Sequence, residues 1–510
     1  MKSQPKITHI AWLVAAMASG LMLSGCNSSS DNTASNAPSD VSLIAGDYEL
    51  NTNLGKPVTF VSHDGTVSPA APFQMTIGYG SEAFHNPKDP ADIFYTASDR
   101  GPNIKCEDSA KAPVNLADFC GALDSTGTFQ VDNNGKIFPA PFFDPTIYQF
   151  KLVQQGGTMQ PTLVKTIPLL DQDGNPIGGL SNDLPDRPKD LTTVASTDTV
   201  VANTENGYSN TAERLPFNQN SLDTEGMAQL PDGSFWIGEE YAPSIVHVAA
   251  DGRVLERVVP NDSGVMNDIT NKSMSVCDAL KNGTPQTPAA NYPITCGLPG
   301  ILDLRSLNRG IEDVAVSPDG KTLYFGMQSP LANPSKTAYK SSRNNRIFTV
   351  ALNADGSFDK VTGEYVYQLD TPDTFVADAS TKQNDVKLSE MSVTPNGHLI
   401  QLERISKVTK LYHSDLSKAT NILGSQWDDR ATQPSLTQQT DLTAVGITPV
   451  AKTLVFDTEN DYTPAQTPGK VEGVAFLNDE YMLLTNDNDF GIKGDPSKFF
   501  VIKATQQVEK

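Results

Sequence analysis

Acidic residues recur in this chain at matched places within one repeated phrase. The clearest copy is DTEGMAQLPDGSFWIGEEY, residues 223 to 241. Glu225 opens a short apolar run, a Pro-Asp-Gly turn follows, and a second apolar run ends at Glu239-Glu240. The other copies are GSEAFHNPKDPADIFYTASDRG (80 to 101), NRGIEDVAVSPDGKTLYFGMQSP (308 to 330), LSEMSVTPNGHLIQLER (388 to 404) and VEGVAFLNDEYMLLTNDNDF (471 to 490). Registered on their turns, Glu225, Glu312 and Glu472 coincide, Glu82 opens the first copy, and Glu390 falls one residue late. At the far ends Glu239 and Glu240 align with Glu403 and Arg404 and with Asn486 and Asp487. Met327 and Gln328 join them once the extra residue of the third turn is absorbed. Carboxylates are hard oxygen ligands of the kind that hold calcium. The candidate metal ligands are therefore Glu82, Asp99, Glu225, Glu239, Glu240, Glu312, Glu472, Asp487 and Asp489. Bringing several of them together is costly without a cation. A glutamate that repeats can also lock neighbouring repeats by bonding backbone amides, and for any single Glu that reading stands beside the metal one.

Such acids need elements that aim them at one place. Each copy reads as a β-hairpin, with apolar residues alternating on both sides of a turn. A hairpin cannot bury both faces alone, so five copies imply a stacked or radial repeat. A second strand pair follows several copies: residues 147 to 153 with 162 to 170, 244 to 260, and 346 to 370. Inner pair plus outer pair makes a four-stranded propeller blade. The expected fold is therefore all-β, a β-propeller with long loop insertions around 106 to 143, 261 to 305, 331 to 343 and 418 to 466. Five blades are visible. The long gap before Glu225 leaves room for another near 190 to 207, so six is the preferred count. Only residues 498 to 504 follow the fifth copy, and a closing strand is expected from residues 41 to 50. Glu390 is one residue out of register, which in a strand puts a side chain on the opposite face unless a bulge intervenes.

The first 25 residues read as an address. Lys2 and Lys6 precede a short apolar stretch, and Leu23-Ser24-Gly25-Cys26 has the form of a lipoprotein cleavage site, which makes Cys26 the lipidated first residue. Asn27 after the cysteine favours the outer membrane if the protein is a Gram-negative lipoprotein. Residues 26 to 40 form a polar tether reaching about 20 Å, and residues 41 to 510 form one domain. Processing would remove Lys2 and Lys6 and take the net charge from −22 to −24. That excess argues against nucleic acid and against docking on anionic lipid. It suits a protein that gathers cations, although solubility alone also accounts for it. Cys106, Cys120, Cys277 and Cys296 remain, an even number in an exported chain, and two disulfides are expected. Local pairing would staple two insertions, and three pairings are possible.

The phrases SDRGPN (98 to 103), TEGMAQLPDGSFWIGEEYAPSIVHVAADGRVLERVVP (224 to 260), EMSVTPNGHLIQLER (390 to 404) and EGVAFLNDEYMLLTNDNDFG (472 to 491), in this order with the 308-to-331 segment, resemble the phytase-like, esterase-like family related to β-propeller phytases. The resemblance implies a propeller whose channel holds calcium and hydrolyses phosphate or related esters of small molecules. On such a site Glu225, Glu312, Arg309 and Arg100 are the expected catalytic set. Arg404, Tyr241 and Asn488 are expected to bind substrate, because guanidinium groups match phosphate oxygens bidentately. Two other readings use the same acids: a non-catalytic binding propeller with structural calcium, and a calcium-dependent carboxylic ester or lactone hydrolase. No G-x-S-x-G nucleophile elbow, H-x-x-x-H zinc spacing or phosphate loop is present. DQDG (171 to 174) lacks the later acids of an EF-hand and reads as a turn. His85 and His398 lie near turns and read as surface residues.

Overall fold

The computed structural model describes residues 42–111, 116–133, 135–180, 205–261, 276–283, 288–462 and 467–509. The expected signal sequence, Cys26 and the tether lie outside them. Each repeated phrase folds as the inner hairpin of a blade. The first blade runs outward through Glu82–Phe84, Ile93–Ala97, Thr146–Gln155 and Thr158–Pro168. The second runs through Thr224–Gln229, Phe235–Glu239, Ser244–Val248 and Val254–Pro260, with a fifth strand, Ile294–Leu298, added in parallel. The third comprises Ile311–Val316, Thr322–Met327, Asn344–Leu352 and Phe358–Gln368. The fourth comprises Lys387–Val393, Leu399–Arg404, Thr409–Asp415 and Ala451–Asp457. The fifth joins Val471–Phe476, Met482–Asn486 and Ser497–Ile502 to Gly46–Leu50, so the N-terminal strand closes the ring as expected.

The turns explain the hairpins. Leu230 N–H donates to Ser234 O, Thr394 to His398 and Leu477 to Tyr481, closing three turns alike. Ser317 does the same to Thr322, one residue later, where the extra residue of the third phrase is absorbed. The segments on either side are almost entirely buried, because both faces of a blade pack on its neighbours.

Five hydrophobic clusters fill five inter-blade interfaces. Met227, Phe235 and Val246 meet Tyr95 and Ile147 of the first blade. Ala475, Leu483 and Phe499 meet its other side at Ala83, Phe94 and Phe150. The remaining three join blades two to three, three to four and four to five. The ring therefore closes on five blades, which corrects the count of six. Most of the segment suggested for a sixth lies outside the described residues. Its last residue, Gly207, opens the strand Gly207–Ser209, which pairs with Lys136–Phe138 in a small insertion sheet instead of a blade. Two glycines make the tight ring possible. A Cβ on Gly226 (φ +64°) would lie 2.3 Å from Glu312 O, and one on Gly473 would lie 2.6 Å from Ala83 N. Cys106 is bonded to Cys120 and Cys277 to Cys296, the local pairing, each within or at the edge of an insertion. Asp171 accepts N–H bonds from Asp173 and Asn175, so DQDG is a turn. His85 is buried, its Nδ1 2.7 Å from Ile93 O, contrary to its sequence reading.

Candidate active site

The inner strand of each blade begins, and the next strand ends, on one face of the ring. Residues at those two places therefore converge. They surround a cavity of about 510 Å³ whose lining, among the described residues, is charged or amide-bearing apart from Ile104 and Ile492. Asp99 follows the second strand of blade one, Asp223 and Glu225 stand at the start of blade two, and Glu240 follows its second strand. Glu312, Glu472 and Asp487 hold the matching places of blades three and five.

The inner strands carry a shared irregularity. Pairing shifts by one residue between Glu225 and Met227, Ile311 and Asp313, Leu388 and Glu390, and Val471 and Gly473. Glu225, Glu312 and Glu472 are equivalent through these bulges, and Ser389 takes that place in blade four. Glu390 is equivalent to Asp313 and lies deeper. Its Oε2 accepts from Ala83 N–H at 3.3 Å, and it is fully buried outside the cavity lining.

The acids divide into two groups. Asp99, Asp223 and Glu225 present oxygens all within 4.8 Å of one another. Burial pushes Asp99 up, helped by Asp487 and Asp223; burial raises Glu225, helped by Glu312 and Asp223. Glu225 Oε2 has no hydrogen-bond partner although buried. Asp223 is raised by burial and drawn down by Arg100, which lies 3.2 Å away and also grips Glu205 at 2.8 Å. The centre of a triangle with 4.8 Å sides lies about 2.8 Å from each corner, close to a calcium–oxygen distance. The carboxylate chemistry, the spacing and the orphaned oxygen of Glu225 all fit a divalent cation.

The second group is already compensated. Gln328 Nε2 donates to Glu240 Oε1 at 2.6 Å and to Glu312, and Asn308 Nδ2 reaches Glu240 Oε2 at 2.5 Å. Arg309 lies 3.7 Å from Glu240, and Arg404 pairs with Glu472. Lys470 bonds Asp487 at 2.5 Å and Asp489 at 2.6 Å, and Lys493 adds a third contact at 3.0 Å. Those ammonium groups hold Asp489 below the ordinary carboxylate range despite its burial. An internal lysine thus occupies the place a cation would take between Asp487 and Asp489.

Four expected site residues lie outside the cavity lining. Glu239 receives N–H bonds from Asp223 and Ala242 and pairs with Arg257 at 3.2 Å, so it locks the second blade. Tyr241 accepts from Glu205 N–H and lies under the Arg100 guanidinium at 5.1 Å, so it supports the arginine. Asn488 caps Phe490 N–H and donates to Thr76 Oγ1, holding its loop. Glu82 is fully buried with both oxygens unpartnered, and burial, helped by the charge of Asp99, pushes it up to about 8. Sequence reading missed Asp223, Lys136, Lys387, Lys470 and Asn308, all of which line the cavity. Asp223, two residues before Glu225, was the one with a signal to follow.

The topology defines a β-propeller with an acid-lined cavity at one face. The family profile for phytase-like proteins, described as esterase-like activity of phytase, matches residues 85–490, and the chain belongs to this family. A secreted, uncharacterized protein of Arthroderma benhamiae is 30% identical over 195 residues, 36% of this chain and 35% of that protein, so the chain spans about a third of its relative. The periplasmic gluconolactonase of Pseudomonas aeruginosa is similar in structure, with 10% identity, 90% of this chain and 97% of that one covered, and a TM-score of 0.27. Regucalcin from Agrobacterium tumefaciens, a calcium-binding protein, gives 12% identity, 84% and 92% coverage, and a TM-score of 0.28. No described helix is long and apolar enough to cross a membrane.

Proposed function

We propose that this protein is a calcium-dependent hydrolase of phosphate esters. The observation that carries the reading is the cavity lining: a trio of carboxylates spaced for a cation, set among lysines and arginines that alternate with further acids, with no aromatic side chain among the described lining residues. Such a wall favours a small, strongly anionic ester over an acyl ester or lactone, whose carbon skeleton needs apolar surface. Asp99, Asp223 and Glu225 would hold calcium. When bound, the ion neutralises phosphoryl oxygens and lowers the pKa of a coordinated water. The chain's own groups do the rest. Arg100 opposes the effect of burial on Asp223 and holds it in place. Glu240 and Glu312, bridged by Gln328, hold Arg309 and Arg404 at the wall, where the guanidinium groups face anionic oxygens.

A panel of phosphomonoesters, phosphodiesters and acyl esters, assayed with EDTA and after calcium is restored, tests the proposal. Calcium-dependent turnover of the phosphate esters alone is expected. Turnover of the acyl esters alone would favour the carboxylic-ester reading. No turnover, with calcium only raising the melting temperature, would favour the binding propeller. We also propose export and lipidation at Cys26, which the lipoprotein-like cleavage sequence and the two disulfides support. Palmitate labelling that survives Cys26→Ser would refute the lipidation.

A further inference from the structure

We propose that Lys387 is the proton donor to the leaving oxygen of the ester, a role that rests on the phosphate-ester reading above. Lys387 opens the inner strand of the fourth blade, directly opposite Arg404, and lines the cavity. Among the described residues it stands apart from the other cavity lysines that are not exposed at the mouth. Lys136 has Glu205 at 3.5 Å and Lys470 has Asp487 at 2.5 Å, whereas no carboxylate lies within 4.0 Å of Lys387. The charged groups facing it are Arg309, Arg404, Glu312 and Glu240. Both acids are already engaged, Glu240 by Asn308 and Gln328, and Glu312 by Gln328 and by Ser389 Oγ at 3.1 Å.

An ammonium so placed is partly buried, has no carboxylate within ion-pair distance among the described residues and is repelled by two guanidinium groups. Burial first, then Arg309 and Arg404, depress its proton affinity well below that of an ordinary lysine. That makes it a stronger acid than an ordinary lysine, whereas an arginine holds its proton too tightly to give it up. Both oxygens of Glu240 are already taken up as acceptors, by Asn308 and Gln328, whereas no such contact engages the Lys387 ammonium among the described residues. In the step itself water attacks phosphorus and the bond from phosphorus to the ester oxygen breaks. The departing electron pair takes a proton from the Lys387 ammonium, leaving alcohol and neutral amine. One water proton stays on the phosphate product, and the other is released and restores the ammonium.

The leaving group supplies the test. An alkoxide needs a proton as it departs, whereas p-nitrophenolate does not. Wild type, Lys387→Met and Lys387→Arg are assayed with calcium on glycerol 2-phosphate and on p-nitrophenyl phosphate. In both variants kcat on glycerol 2-phosphate should fall about 10²- to 10³-fold, with less than a tenfold loss on p-nitrophenyl phosphate. The fall in wild-type kcat on glycerol 2-phosphate at alkaline pH should vanish with the lysine. Competitive acetylation of the calcium-free wild-type protein across pH provides a readout independent of turnover: Lys387 should become reactive at lower pH than exposed Lys105. Equal losses on the two substrates, or ordinary reactivity of Lys387, would overturn the proposal. A wild-type protein that hydrolyses neither phosphate would overturn the ester reading together with the role built on it.

Discussion

Replacing Glu225 by glutamine should stabilise the calcium-free protein while weakening its hold on calcium. Two unit charges 4.8 Å apart repel by about 3.5 kcal/mol at an effective dielectric constant near 20. Glu225 has two such neighbours, Asp99 and Asp223, so neutralising it relieves up to about 7 kcal/mol. Partial protonation of the raised carboxyls and the Arg100 contact of Asp223 absorb much of this, leaving an expected gain of roughly 1–3 kcal/mol. For a domain of this length, with an unfolding entropy near 1 kcal/mol/K, that corresponds to about 1–3 °C in Tm. For calcium the sign reverses. A divalent ion about 2.8 Å from the carboxylate is attracted by about 12 kcal/mol at the same dielectric, which outweighs the relieved repulsion by several kcal/mol. Calcium affinity should therefore fall at least about 100-fold. Thermal melts of chelator-treated protein with and without calcium read both effects. A variant that melts below wild type without calcium, or keeps the full calcium-induced rise, would refute the electrostatic account of the trio.

Three further outcomes follow from individual contacts. Glu82, raised to about 8 in the fold against 4.5 unfolded, gives a stability contribution that is full below pH 4.5 and lost as pH rises to about 8. Glu82→Gln should flatten the pH dependence of Tm in EDTA, with the largest gain, up to about 5 kcal/mol, above pH 8; an unchanged profile would mean the side chain is solvated. Cys106→Ser with Cys120→Ser opens a 14-residue loop and should cost about 3 kcal/mol, seen in denaturant unfolding. Because Ile104 and Lys105 line the cavity beside this staple, KM should rise more than kcat falls. Gly226→Ala places a Cβ 2.3 Å from Glu312 O at φ +64°, so it should cost more than about 2 kcal/mol or abolish folding, as judged by expression and melting.

Sequence showed most of the ring because the hairpin phrase repeats with its turn and its acid in fixed relation. The equivalence of Glu225, Glu312 and Glu472, and the displaced register of Glu390, both survive in the strand pairing. It gave no access to direction at strand ends. Glu239 and Glu240 are adjacent, so one turns to Arg257 and the other into the cavity, and composition cannot tell them apart. The basic wall was equally hidden. Lys136 comes from an insertion with no repeat, and Lys387 opens one inner strand while Lys470 precedes another, where the second and third blades carry Asp223 and Gly310. The count of six failed because the length between the first two phrases is taken up, in its described parts, by the outer strands of blade one and by small insertion sheets.

The most direct measurement is a crystal of the calcium-soaked protein with anomalous data collected for the ion. The structure predicts a peak among Asp99, Asp223 and Glu225, coordinated by oxygen from all three. A map with no density there, or with calcium held only at surface acids, would contradict the assignment of this cavity as a metal site.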